Sequence, residues 1–325
     1  MASFHGEFCL GLVIICSLCV TCGSTVDNSF HLEQVVLEES SIANGFSGIL
    51  GEIEKQNVCH IKNSSCSFQD IQQLLSCEED LKGIGSLNTT CQLNTSLQLH
   101  NDVLIIGEGN LEILPHVSVS CHLAGCVIGI NISGDLILGE NSSLGAGTLI
   151  LDAKNLSLQK NSSLNTTALG GVPPPQTSGT PLGVDGAGGG HGGRGACCIK
   201  DEGKDQEDTW GGDVYAWSSL TNPWSYGSKG GTTTREKELG GGGGGRVKIV
   251  VSGILDVNGS ISADGGDGGH EGGGGSGGSI ILLVPKLKGT GAVSASGGKG
   301  WAGGGGGRVS IKSYSRQASL NIFVH

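Results

Sequence analysis

His191, Arg194, Cys197 and Cys198 stand close together in the stretch "PPPQTSGTPLGVDGAGGGHGGRGACC", residues 173–198, with Asp185 a little before them. Imidazole, guanidinium, thiol and carboxylate are the groups of metal sites, nucleophilic catalysis and anion cradles, and each chemistry sets its own spacing. Paired cysteine ligands of a zinc site stand two to four residues apart so that both sulfurs face one ion. Adjacent Cys197 and Cys198 point apart. The glycine run around His191 contains a G-x-G-x-x-G match, but 61 of the 325 residues are glycine, so composition alone supplies it. No strand-glycine-helix unit surrounds it. "GSKGG" around Lys229 lacks the spacing of a phosphate loop, and Asp264 and Asp267 sit among glycines without the repeating nonapeptide of a calcium-binding β-roll.

Inverting glycoside hydrolysis needs two carboxylates flanking the bond. "GHG" at 190–192 and "RVK" at 246–248 resemble two motifs of the polygalacturonase family. That resemblance implies a histidine near the catalytic acids and an Arg-x-Lys pair holding a uronate. The family's Asn-Thr-Asp and Asp-Asp motifs, which supply the acids, have no counterpart here. Arg246 and Lys248 also read as the polar face of a strand, because Arg308 takes the corresponding place in a later repeat. The expectation is therefore a protein that is not an enzyme, with no catalytic, cofactor or metal site. His191 and Arg194 are expected to satisfy glycine-loop carbonyls that would otherwise lack partners.

Trp210, Tyr215, Trp217, Trp224 and Tyr226 fall in one short segment, while the rest of the chain has only Trp301 and Tyr314 of these residue types. Flat aromatic faces suit sugar rings, so the five form a candidate binding surface. The competing use is to dock the segment by burying apolar area.

The elements that must position these residues come from a repeat. Val247 to Gly266 aligns with Ser279 to Gly298 at an offset of 32, placing Ile249 on Ile281 and Leu255 on Leu287, and a third copy begins at Val309. Upstream, Leu136, Leu138, Asn141 and Leu144 recur 20 positions later as Leu156, Leu158, Asn161 and Leu164, and Leu111, Ile113, His116 and Val119 precede them by 25. Within each copy apolar residues alternate over runs too short for a helix, which predicts short strands with one buried face. Stacked copies then pair strand on strand. The fold expected is all-β: a right-handed parallel β-helix-like solenoid with glycine-rich arms and a small cysteine-rich N-terminal cap. Its parts are a signal peptide at 1–23, the cap at 24–100, coils at 101–171, a long Gly/Pro/Trp-rich arm at 172–245 and glycine-rich coils at 246–325. "SFQDIQQLLSC" from Ser67 reads as a short capped helix within the cap. The glycine runs are expected to be ordered, as tight turns or extended chains against the stack, and the long arm to project from it.

Compartment follows from the N-terminus and the cysteines. Phe8 to Val20 is apolar and leads into Thr21, Cys22, Gly23 and Ser24, the pattern of a cleaved signal peptide. It is shorter than the roughly 20 apolar residues of a membrane span, and no later segment competes with it. Cleavage leaves Cys59, Cys66, Cys77, Cys91, Cys121, Cys126, Cys197 and Cys198, an even set for disulfides whose connectivity the spacing leaves open. Sequons at Asn63, Asn88, Asn94, Asn131, Asn141, Asn155, Asn161, Asn165 and Asn258 predict a glycoprotein. The net charge of -11 has no basic stripe, which argues against nucleic acid.

"PPPQTSGTPLGVDGAGGGHGGRGACC", "WGGDVYAWSSLTNPWSYGSKGG", "GGGGGRVKI" and "GIGSLNTTCQ" together resemble the N-terminal part of a family of large plant glycine-rich proteins of the secretory pathway, whose biochemical role is unknown. The resemblance spans roughly residues 70 to 325. It implies an extracellular or membrane-face location in a plant cell and brings no catalytic residues. Family members run longer and carry transmembrane sequence near the C-terminus, whereas this sequence stops at "LNIFVH" in what reads as a coil without a capping segment. It is thus expected to be a fragment, or to have its open end covered by a partner. The functional expectation is a structural or interaction role at the cell wall or surface, with cell-wall polysaccharide or an extracellular protein as partner; the alternative is a polysaccharide-binding or degenerate polysaccharide-active β-helix protein.

Overall fold

The structure is a computed structural model that describes residues 75–179, 186–196, 211–232 and 239–325. The signal peptide, residues 67–74 of the expected Ser67 helix, Asp185, Asn63, Cys59, Cys66, Cys197, Cys198 and Trp210 lie outside those residues, and Leu75, Ser76 and Cys77 are not helical. Among the described residues there is no helix, and the strands stack in curled, mainly parallel sheets.

Each coil contributes up to three strands. β1 (Ile84–Gly85) pairs antiparallel with β2 (Thr90–Leu93), which leads to β3 (Leu97–Gln98). The next coils are β4 (Val103–Gly107), β5 (Asn110–Ile113) and β6 (Ser118–Ser120), then β7 (Val127–Ile132), β8 (Asp135–Leu138) and β9 (Ser143–Gly145). They continue as β10 (Thr148–Ala153), β11 (Asn155–Leu158) and β12 (Ser163–Asn165), then β13 (Arg246–Val251), β14 (Ile254–Val257) and β15 (Ser260–Ser262). In the last two coils one long strand turns the first corner: β16 (Ser279–Gly289) with β17 (Ala292–Ser294), and β18 (Arg308–Ala318) with β19 (Asn321–Phe323). Third strands form a sheet of seven, one per coil, and β16 joins the first- and second-strand stacks into a sheet of twelve. Since β2 and β3 pair in parallel with β5 and β6, the coils begin before residue 101.

The core is a set of apolar columns. Ile105, Ile130, Leu151, Ile249, Leu282 and Ile311 follow one another up the first-strand stack. Leu111, Leu136, Leu156, Leu255 and Leu287 do so in the second, and Val119, Leu144, Leu164, Ile261 and Val293 in the third. These residues are buried except for Ile311, at the end of its column. The 20- and 25-residue offsets hold. The later offsets are corrected in the first strand, where Ile249 pairs with Leu282 at 33 and Ile280 with Val309 at 29. Ser252 and Gly253 make a corner that β16 runs straight through, which takes one residue more, and a slip of one residue exchanges the two faces of a strand. Disulfides join Cys77 to Cys91 at the first coil and Cys121 to Cys126 across the link from β6 to β7.

The glycine runs are packed extended chains, neither corner turns nor a projecting arm. Along 273–278 successive backbone N–H groups reach three different segments in rotation. Gly273 and Ser276 donate to the carbonyls of Gly231 and Ser228, Gly274 and Gly277 to those of Ala302 and Gly305, and Gly275 and Gly278 to those of Gly266 and Ala263. A bonding period of three is that of a polyproline II helix. Here the N–H groups are satisfied between neighbouring chains, which answers the demand that buried backbone be hydrogen-bonded. The chains lie too close for side chains: a Cβ on Gly275 would stand 2.0 Å from the carbonyl oxygen of Gly242. Described parts of the long arm belong to this layer, where Ala187, His191, Tyr215 and Ser228 are fully buried.

Candidate interaction surface on the docked arm

One register column organises the site. Thr148, Arg246, Ser279 and Arg308, in β10, β13, β16 and β18, pair in succession. The residues after them point into the core, so these four emerge on the outer face. Thr148 and Ser279 are nonetheless fully buried and Arg246 nearly so, because arm residues 215–226 lie across them.

The clasp is polar and cationic. Tyr226 Oη lies 2.7 Å from Thr148 Oγ1 and accepts from Arg246 Nη2 at 3.0 Å, while Arg246 Nη1 donates to the Trp224 carbonyl at 3.2 Å. The guanidinium carbon sits 4.0 Å from the Tyr226 ring centre and 4.5 Å from that of Trp224. Ser279 Oγ donates to the Ser225 carbonyl at 2.7 Å. Arg308 donates to the carbonyls of Tyr215 at 2.8 Å and Ser218 at 3.1 Å, Ser310 to that of Thr221 at 2.7 Å, and Lys312 Nζ to Asn222 Oδ1 at 3.2 Å. Burial and the neighbouring Tyr215 act oppositely on Arg308, and burial, the larger, lowers its pKa. Nearby on β10, burial raises the Asp152 pKa against the pull of Lys248.

Behind the clasp lies His191. Its Nδ1 donates to the Gly277 carbonyl at 2.7 Å, its ring centre is 4.4 Å from that of Tyr215, and Nε2 is buried without a hydrogen-bond partner. Burial pushes its pKa down to about 4, with Arg308 adding to the shift and the Gly277 carbonyl opposing it. The Tyr215 hydroxyl donates to the Tyr226 carbonyl at 2.9 Å and lies 2.6 Å from Ser228 Oγ; its pKa is raised, chiefly by burial.

His191 therefore holds a glycine-chain carbonyl, as expected. Arg194 forms an exposed ion pair with Asp213 at 2.9 Å. Asp256 accepts from Asn258, and Asp264 and Asp267 accept backbone N–H groups of the adjacent arm, from Ser296 and Lys299. Among the described residues no three metal-ligating groups cluster, and no helix is long and apolar enough to cross a membrane. Of the aromatic segment, Tyr215 and Tyr226 are buried and dock the arm, Trp224 stacks on Arg246, and Trp217 is 61% exposed. The Trp217 ring lies parallel to that of Tyr215, 5.9 Å between centres and 4° between planes. Leu220 on the same loop and Tyr314, two residues past Lys312 on β18, are also exposed.

The roles of Thr148, Ser279, Arg308 and Ser310 escape a search for reactive side chains. One signal was present: "GGGGGRV" occurs at both 241–247 and 303–309, so an arginine closes two glycine runs at the same point of the coil. Compared with known proteins, the chain matches no family model, no curated protein and no solved structure.

Proposed function

We propose that the chain is a non-catalytic, secreted glycoprotein with a structural and interaction role at a plant cell wall or cell surface, that its coils wind as a right-handed parallel β-helix, and that its contact surface is the loop at residues 216–222. The carrying observation is Trp217: a large apolar ring held outward, fixed flat on buried Tyr215, in a loop whose backbone is clasped by Arg308 and Ser310. Ordering an exposed indole has a cost that solubility alone does not reward, and a rigid flat ring suits the C–H face of a sugar. The loop also offers Ser219, Thr221 and Asn222 as polar neighbours. Disulfides, the N-terminal apolar run and the resemblance to the plant glycine-rich family support the extracellular location.

Glycan-array binding of the secreted chain beside a Trp217→Ala variant tests this reading. Trp217 is 61% exposed and rests only its inner face on Tyr215, so the variant should keep the parent's far-UV circular dichroism while losing binding to cell-wall saccharides at least tenfold. Equal binding by both proteins, or none by either, would remove the loop as a saccharide surface.

A further inference from the structure

The coil geometry gathers sequons that lie far apart in sequence. Asn94 stands between β2 and β3, Asn141 between β8 and β9, Asn161 between β11 and β12, and Asn258 between β14 and β15. All four therefore occupy one corner of the solenoid, between the second and third strands, and all four are exposed. The coil of β4 to β6 places His116 there, in the same left-handed conformation as Asn141 and Asn161, with φ of 64°, 57° and 59°. Counted along the stack, Asn94, Asn141 and Asn258 lie on alternate coils, and Asn161 lies on the coil between the last two.

Stacked coils are separated by one strand spacing, about 4.8 Å. A branched N-linked glycan is wider than that, so neighbours on adjacent coils exclude one another. Asn141 and Asn161 are in direct register, as shown by the pairs on either side, Leu158 with Leu138 and Ser163 with Ser143. Between them, Asn161 Nδ2 donates to Asn141 Oδ1 at 3.1 Å, so the amide nitrogen of Asn161, the atom a glycan would need, faces its neighbour. Asn141 presents its oxygen to that bond, and the Asn258 nitrogen bonds within its own coil, to Asp256 Oδ1 at 2.9 Å, so it faces no neighbouring sequon.

Asn155 is closed for a different reason. Its Nδ2 donates to Asp135 Oδ1 and its Oδ1 accepts from the Ile254 N–H, both at 2.8 Å, in a ladder that continues from Asn110 Oδ1 to the Asp135 N–H. A Cβ on Gly253 would stand 2.3 Å from that same oxygen, so no room remains for a sugar.

We infer that the corner between second and third strands is a glycan-bearing edge, occupied on alternate coils at Asn94, Asn141 and Asn258, with Asn161 and Asn155 bare. The inference rests on the secretory reading above. Its consequence is spatial: the glycans of that corner project away from the outer face of the first-strand stack, where residues 215–226 lie, and leave the Trp217 loop uncovered, while the sequon at Asn131 is on the outer face of β7.

The test is site occupancy by peptide mass spectrometry on the full chain secreted from eukaryotic cells, after enzymatic deglycosylation in heavy-oxygen water. Expected are glycans on most copies of Asn94, Asn141 and Asn258, little at Asn161 and none at Asn155. In a variant carrying both Asn141→Gln and Asn258→Gln, occupancy at Asn161 should rise severalfold as the bulk on both adjacent coils is removed. Occupancies at Asn141 and Asn161 summing to more than one per chain, or glycan on Asn155 in folded protein, would overturn the placement and leave the secretory reading intact. A chain with no glycan at any sequon would overturn both.

Discussion

Arg246 and Tyr226 meet twice: the guanidinium lies over the ring with its carbon 4.0 Å from the centre, and Nη2 donates to the hydroxyl at 3.0 Å. The pair joins the start of β13 to the arm, and Trp224 stacks on the same guanidinium. A cation buried between two rings contributes on the order of 2 kcal/mol, and its hydrogen bonds add to that. Arg246→Ala should therefore lower stability by about 3 kcal/mol, seen as a reduced urea midpoint, with the near-UV circular dichroism of the arm aromatics reduced. Arg246→Lys should recover less than half of the loss, because an ammonium lacks the planar fork. An unchanged midpoint in Arg246→Ala would mean that the arm is held elsewhere.

The glycine layer allows a comparison within one chain. A Cβ on Gly275 would meet the Gly242 carbonyl oxygen at 2.0 Å, whereas one on Gly303 meets nothing nearer than 3.9 Å. Gly275→Ala must force two chains apart and break the rotating hydrogen bonds, costing about 3 kcal/mol or more. Gly303→Ala should fall within about 1 kcal/mol of the parent, since it mainly restricts the unfolded chain. Thermal denaturation of the two variants decides this, and equal losses would argue against a close-packed layer.

These contrasts show what the sequence conveyed and where it stopped. The columns were legible because Leu136 and Leu156 repeat in a fixed frame, and the corner at His116, Asn141 and Asn161 because a polar residue recurs where the chain takes a positive φ. The 33-residue pairing of Ile249 with Leu282 was not, because Ser252 and Gly253 add a corner that no apolar residue marks. The glycine layer was least legible. A glycine gives no side-chain signal of its neighbours, and the bonds of Gly273, Gly274 and Gly275 go to residues 42, 28 and 9 positions away. His191 read correctly as a carbonyl partner, but its contact with Tyr215 depends on two chains of that layer meeting.

His191 makes the layer sensitive to acid. In the unfolded chain an imidazole titrates near 6.5, while in the fold its pKa is about 4. The unfolded state thus binds the proton more tightly, and stability must fall as pH drops. The contribution is complete above about pH 6.5, declines down to about pH 4 and is constant below, a loss of about 3 kcal/mol in all. Denaturation midpoints from pH 7.5 to 4 should show this slope, and His191→Asn, which keeps a donor for the Gly277 carbonyl, should flatten it. A slope unchanged in the variant would assign the acid response to other groups.

The outer coil replaces core residues with polar ones. Arg316 pairs with Leu287 and so stands at the end of the leucine column that starts at Leu111, while Ser313 stands over buried Val284. Arg316 turns back to donate to the Ile311 carbonyl at 3.0 Å. An inward charge at the end of a strand stack opposes the addition of another apolar coil, as capping repeats and protected sheet edges do. Arg316→Leu would complete the column up to solvent and leave one continuous apolar face. Sedimentation velocity over a concentration series should then show reversible self-association in the variant, at concentrations where the parent shows none. If the variant sediments as the parent does, Arg316 is not what keeps this end from stacking.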